Sequence, residues 1–190
     1  MIYFTSDQHL GHANIIRLQN RPFKNVDEMN NILINNINET VGVDDELYIL
    51  GDFSFYNRDL ALEARKRLVC PKIYFLYGNH DKSFENMNKK DFPWEWAKDY
   101  YRFYSENRHF VLFHYPIVSW HGRYRDAIHL HGHCHHYKEY NLNNRKNETL
   151  RYDVGVDAND FKPVSMKHIL KFFEGVVNNP NTARIEEKCK

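Results

Sequence analysis

The sequence has little cysteine. Three thiols in 190 residues, Cys70, Cys134 and Cys189, are odd in number, widely spaced and form no CxxC pair, which argues against a disulfide framework or a structural zinc knuckle and for a reducing compartment. Net charge is nearly absent too: 26 Lys and Arg against 25 Asp and Glu leave +1. So balanced a chain has no overall field for a polyanion, and nucleic-acid binding would need a local cationic patch. No run reaches the roughly 18 consecutive apolar residues of a membrane span, and the opening MIYFTSDQHL lacks the basic leader and longer apolar stretch of a signal peptide. The expectation is a soluble, cytoplasmic protein. There is no internal repeat and no dividing linker, so one domain is expected over 1–175, with the polar stretch 176–190 as a flexible tail.

What is present is an alternation. Residues 2–6 (IYFTS), 46–50 (ELYIL) and 72–77 (KIYFLY) are short apolar runs that stop at Asp7, at Gly51 with Asp52, and at Gly78 with Asn79. Each reads as a buried strand. Between the first two, Val26, Met29, Leu33, Ile37 and Val41 recur at helical spacing, and Asn25 with Glu28 resembles a capping box. Between the second and third, Asp59 is placed to cap the shorter helix LALEARKRL, which Pro71 closes. The order β, α, β, α, β predicts parallel strands with crossover helices and puts Asp7, Asp52 and Asn79 on one rim.

Past FPWEWAKDY the pattern changes. YYRFYS and HFVLFH, joined through Glu106, Asn107 and Arg108, read as a hairpin, and further strands are expected at 127–131 and 150–154. The second half therefore reads as antiparallel. Ser165 is placed to cap a last helix, MKHILKFFE, closed by Gly175.

The strand ends carry the donors: Asp7 and His9 in SDQH, Asp52 in GDFS, Asn79, His80 and Asp81 in GNHD, His114 in FHYP, and His133 and His135 in GHCH. Carboxylates, imidazoles and an amide oxygen suit Mn, Fe, Zn or Ni better than Mg or Ca. Seven donors with one bridging carboxylate match two metal ions roughly 3.5 to 4 Å apart. The bland alternative is a set of hydrogen-bonded polar strand ends. The two-residue spacings let Asp7 and His9, and His133 and His135, point together off an extended backbone, which would turn Cys134 to the other side as a small buried residue.

The ordered string DxH, GD, GNHD, H and GHxH resembles the calcineurin-like metallophosphoesterases, from Asp7 to about Val156. The resemblance implies a four-layer α/β/β/α sandwich and two divalent or trivalent transition-metal ions, manganese foremost. Asp7, His9, Asp52 and His135 would hold one ion, and Asp52, Asn79, His114 and His133 the other, with Asp52 as the bridge. It further implies in-line attack of a metal-bridging hydroxide on phosphorus, with His80 binding a phosphoryl oxygen or protonating the leaving group. Phe55 departs from two branches: the Ser/Thr phosphatases carry an Asp there and the purple acid phosphatases a Tyr ligand. The stretches TSDQHLGHANII and RYDVGVDANDFKPVS look instead like small bacterial and phage phosphoesterases.

Other residues stay open between two roles. His12 either contacts substrate or a metal-bound water, or caps a helix opening at Ala13. His131, outside the GHxH frame, is expected to pack in support, and His136 to face water. Arg21, Arg58, Arg123 and Arg125 either clamp phosphate or solvate loops; Arg123 and Arg125, in WHGRYR near His114, are the leading substrate-binding candidates, and the aromatics beside them suit a nucleobase. The expected function is metal-dependent hydrolysis of a phosphomonoester or phosphodiester, small or nucleotide-like. A nuclease or nucleic-acid end-processing phosphatase is the alternative, disfavoured by the neutral charge. An inactive scaffold is disfavoured by the intact ligand set and His80.

Overall fold

The computed structural model describes residues 1–85, 87 and 93–179. The alternation in the first half folds as expected. Strands β1 (Ile2–Thr5), β2 (Glu46–Ile49) and β3 (Lys72–Leu76) lie side by side in parallel, with helices α1 (Ala13–Leu18), α2 (Val26–Thr40) and α3 (Arg58–Lys66) in the connections. Asn25 caps α2 by accepting the Glu28 N–H at 2.9 Å. The cap of α3 is Asn57, not Asp59: the helix starts two residues earlier than its charge pattern suggests, so Asn57 accepts from Leu60. Asp59 then lies in the first turn, where a carboxylate complements the helix dipole.

Two edge strands escaped the sequence reading because each is shorter than a recognisable alternation. They are β4 (Trp96–Lys98), parallel to β3, and β9 (Val164–Ser165), antiparallel to β1. The first sheet thus runs β4-β3-β2-β1-β9. The hairpin forms from β5 (Tyr100–Ser105) and β6 (Arg108–Phe113), and Glu106 and Asn107 take positive φ at its two-residue turn. The antiparallel expectation fails beyond it. Strand β6 pairs in parallel with β7 (Ile128–His131), and β7 with β8 (Arg151–Asp153), giving β5-β6-β7-β8.

A helix missed in the sequence, α4 (Lys138–Lys146), makes the last of these crossovers. Its apolar stripe is nearly absent because its buried residues are amides: Asn141 and Asn144 bond the backbone of β8 and cover that edge. Helix α5 (Met166–Phe172) follows, capped by Ser165 as expected.

Strand alternation divides the core in two. Leu47, Ile49, Ile73 and Phe75 face Met29, Leu33, Ile37, Ala61 and Ala64 of the helices. Phe4, Tyr48, Leu50 and Leu76 face the other way, against Phe110, Leu112, Ile128 and Leu130 of the second sheet, with Ile169 and Phe173 behind. The architecture is a helix, sheet, sheet, helix sandwich whose loops at one end gather the donors. The expected tail starts later than residue 176: Asn178 is buried, donates to the Arg123 carbonyl at 2.8 Å and accepts from the Leu150 N–H at 2.8 Å. Residues 180–190 lie outside the described residues.

Candidate metal centre

The strand ends are tied to one another by backbone hydrogen bonds. Asp7 and His9 donate their N–H groups to the carbonyls of Gly51 and Asp52, both at 3.0 Å. The N–H of His80 reaches Asp52 Oδ1 at 2.9 Å, and that of His133 reaches Asp7 Oδ2 at 3.0 Å. The seven expected donors therefore come together in two groups. Asp7, His9 and His135 form one, and Asp52, His114 and His133 the other, each with ligand atoms within 4.8 Å of one another. Asn79 joins the second, its Oδ1 lying 3.2 Å from His114 Nε2 and 2.9 Å from His133 Nδ1. Asp52 faces both: its Oδ2 is 3.4 Å from His9 Nε2 and 3.5 Å from His114 Nε2.

The backbone that presents these groups is not extended. Asp7, His9, Asp52, His133 and His135 have φ of 61°, 52°, 53°, 71° and 49°, left-handed conformations that cost about 1 kcal/mol or more each and gather at functional sites. Asp and His tolerate this region better than most residues. Two expectations built on alternation are corrected: the backbone here is left-handed rather than extended, and Cys134 is exposed rather than buried, whereas His133 and His135 lie in different groups, as the resemblance implies. Glycine permits the close approaches. A Cβ on Gly132 would lie 2.2 Å from Asp7 Oδ2, and one on Gly78 would lie 2.2 Å from Asp52 Oδ1.

Behind the first group sits Arg21, buried and fully committed. Its Nε and Nη2 each bond Asp157 at 2.8 Å, and Nη1 and Nη2 donate to the carbonyls of Gln8 and Asp7. Asp157 in turn holds His135 Nδ1 at 2.8 Å, which leaves Nε2 for the group. Arg21 is thus neither a phosphate clamp nor a solvated residue. Asp157 was missed because a single acid in VGVDA carries no pattern; its position in a short turn just after a strand is the only signal.

Behind the second group sits Asp81, buried, accepting from the N–H groups of Asp52, Gly78 and Phe53 at 2.7, 2.7 and 3.0 Å. Burial pushes its carboxyl up to about 7 against the pull of those donors. His114 Nδ1 bonds the Leu50 carbonyl at 2.7 Å and so turns Nε2 toward Asp52.

Electrostatics separates Asp7 and His9 from Asp52 and His114, while at His135 burial is overcome by Asp157, which raises it, and His133 is lowered by burial. Burial pushes Asp7 up to about 6, although His114 and His135 pull it down. Burial also pulls His9 down to about 3, against the attraction of Asp52. At Asp52 and His114 burial loses: it raises Asp52, but His114 brings the carboxyl to about 2, and burial lowers His114, but Asp52 and Asp7 carry it up to about 9. Neither ring nitrogen of His9 has a hydrogen-bond partner. A buried imidazole that resists protonation and lacks a partner fits a cation ligand, as do the mixed carboxylate, imidazole and amide donors around it.

The remaining expected residues divide. The His80 ring is exposed, 5.3 Å from that of His9. His12 makes no side-chain cap, and its ring lies 5.5 Å from that of His9. Arg123 is corrected: it is buried, donates to the Val118 carbonyl and lies over Trp120 at 4.8 Å, so it braces its own turn. Arg125 is exposed on that turn, and Arg58 bonds the carbonyls of Ser83 and Glu85. His131 is buried and packs as expected, its nitrogens 2.9 Å from the Gly132 carbonyl and 3.2 Å from Tyr140 Oη. His136 does not simply face water. It bonds Asp153 at 2.8 Å and stacks on Tyr140 at 3.6 Å, because α4 brings Tyr140 back over the loop.

No protein-family model matches the chain. The uncharacterized protein MJ1445 of Methanocaldococcus jannaschii is 38% identical over 176 residues, which cover 91% of each chain. The crystal structure of AQ665, a protein of unknown function from Aquifex aeolicus, matches with a TM-score of 0.71 at 28% identity, over 90% of this chain and 98% of its own. Yfce, a phosphoesterase from E. coli, is a looser likeness: TM-score 0.42 and 13% identity over 87% of this chain and 81% of its own.

Proposed function

We propose that this chain, which belongs to one family with the Methanocaldococcus jannaschii protein and folds as a helix, sheet, sheet, helix sandwich, is a metallophosphoesterase: a dinuclear metal-dependent hydrolase of small phosphoesters. The observation that carries the reading is the position of Asp52, whose single carboxylate oxygen faces both donor groups at 3.4 and 3.5 Å. In the proposed assignment Asp7, His9, Asp52 and His135 hold one ion, and Asp52, Asn79, His114 and His133 the other. Two transition-metal ions there, manganese the first to try, would lower the pKa of water towards about 7 and offset charge on the phosphoryl oxygens.

The chain's own residues supply the rest. Asp157 and the Leu50 carbonyl fix the ring orientations of His135 and His114, so that both present Nε2. His80, exposed at the lip with its backbone held on Asp52, is placed to meet the leaving oxygen. The water oxygen gives up a proton to solvent and adds to phosphorus, the ester P–O bond opposite breaks with its electron pair on the leaving oxygen, and that oxygen takes up a proton from His80 in this assignment, which His80 regains from solvent. Sparse, unpaired thiols favour work in the cytoplasm.

The test is hydrolysis of nitrophenyl phosphodiesters and monoesters with added Mn, alongside metal counting on the same protein. Two ions per chain and metal-dependent turnover are expected. A protein that binds no transition metal, or that binds two and hydrolyses no phosphoester with Mn, Fe, Zn or Ni, overturns the reading.

A further inference from the structure

Four aromatic side chains close a circuit at the mouth of the first donor group. The ring centroids run from His9 to His12 at 5.5 Å, His12 to Phe55 at 4.3 Å, Phe55 to His80 at 5.1 Å, and His80 back to His9 at 5.3 Å. Within it, His12 and Phe55 lie nearly flat on each other, 12° apart. One face of Phe55 is thereby covered while half of the side chain, 51%, stays exposed.

This arrangement is built, not incidental. The N–H of Phe55 is held on the Leu10 carbonyl at 2.8 Å. Next along, Gly11 has φ 84° and passes directly over Tyr56, whose ring an added Cβ would meet at 2.3 Å. The Gly11 N–H bonds Asn30 Oδ1 at 3.0 Å, and Asn30 bonds Tyr56 Oη at 2.8 Å. The LGH step thus sets His12 flat against Phe55 and does not use it as a helix cap. A single exposed phenylalanine is ordinary on a surface. One locked on an imidazole and facing the histidine at the leaving oxygen is not.

We propose that Phe55, backed by His12, is a specificity platform on which a planar, uncharged aromatic ring of the substrate stacks, so that the preferred phosphoesters carry a nucleobase or another aryl group within reach of phosphorus. The inference rests on the phosphoesterase reading and adds the substrate class to it. A leaving oxygen that meets His80, whose ring lies 5.1 Å from that of Phe55, would bring its attached group to the exposed part of the Phe55 ring. Stacking there needs no cation, in keeping with Arg21 and Arg58, which already bond protein groups.

The experiment compares the Mn-loaded wild type with Phe55→Ala, Phe55→Leu and Phe55→Tyr on a matched pair of diesters, one with an aryl group and one with a methyl group. In Phe55→Ala and Phe55→Leu the aryl-to-methyl ratio of kcat/KM should fall about tenfold, the size of one lost ring stack. The loss should sit in KM, and Phe55→Tyr should restore the ratio. Adenosine, which has no phosphate, should inhibit the wild type competitively and Phe55→Ala about tenfold less well. Equal losses on both diesters, or no inhibition by adenosine, overturn the platform while leaving the phosphoesterase reading intact. Failure of the wild type on both diesters overturns that reading instead.

Discussion

The two donor groups are made of the same residue types but are held in opposite ways. Each has two buried members and one half-buried histidine, but the first is clasped by Arg21 and Asp157, an ion pair with both side chains almost wholly buried that joins residues 136 apart. The second opens outward through Asn79, which is exposed, and is held by Asp81 on backbone N–H groups from neighbouring strand ends. A clasp spanning the chain makes the first group a product of the finished fold, whereas the backbone bonds of the second form wherever β2 and β3 lie side by side. The first is thus the anchored side, and the second the side that reaches solvent through Asn79.

The largest effect should come from the residue the groups share. Asp52→Asn should abolish turnover and reduce bound metal from two ions per chain, counted on a protein whose circular dichroism is unchanged. Full occupancy with full activity would show that the groups work independently. Next is the clasp. Arg21→Met leaves Asp157 buried without its cation, and removing one partner of such a pair costs about 3–5 kcal/mol. Chemical denaturation checks that figure; a loss below about 1 kcal/mol would mean the pair behaves like a surface bridge. Asp157→Asn is gentler because an amide can still bond His135. Metal affinity should fall about 10- to 100-fold at one of the two sites only, and an equal loss at both would remove the distinction between anchor and open side.

Much of this was legible in the sequence, and the reason is physical. Short apolar runs ending in Asp7, Asp52 and Asn79 can only be buried strands with polar tips, and the alternation with helices sets them in parallel. What escaped was whatever depends on contacts distant in sequence or on unusual backbone. Arg21 and Asp157 have meaning only once they meet. The left-handed residues His133 and His135 looked like ordinary alternation, which put Cys134 inside. Helix α4 hid because Asn141 and Asn144, not apolar residues, make up its buried face, and the second sheet looked antiparallel because its crossovers lack the hydrophobic stripes that announced α2.

His114 and His9 differ also in a proton. His114 is carried up to about 9 beside Asp52, so without metal it is charged at neutral pH, whereas His9, pulled down to about 3, is not. The sign follows from the direction of the shift. A histidine raised in the folded state stabilises the metal-free fold fully below its unfolded pKa of about 6.5, and that contribution fades as pH rises through about 9. Metal binding responds the opposite way, because His114 must surrender its proton before Nε2 can bind a cation. Between pH 7 and 9 the melting temperature of the metal-free protein should therefore drift down while the affinity of the second group for Mn climbs, by up to about tenfold per pH unit. His9 contributes nothing in that window. Calorimetry in two buffers of different ionisation enthalpy counts the protons released, and a His114→Gln variant should release one fewer. Equal release from variant and wild type would show that the proton lies elsewhere, and that the second group is as fully prepared for its ion as the first.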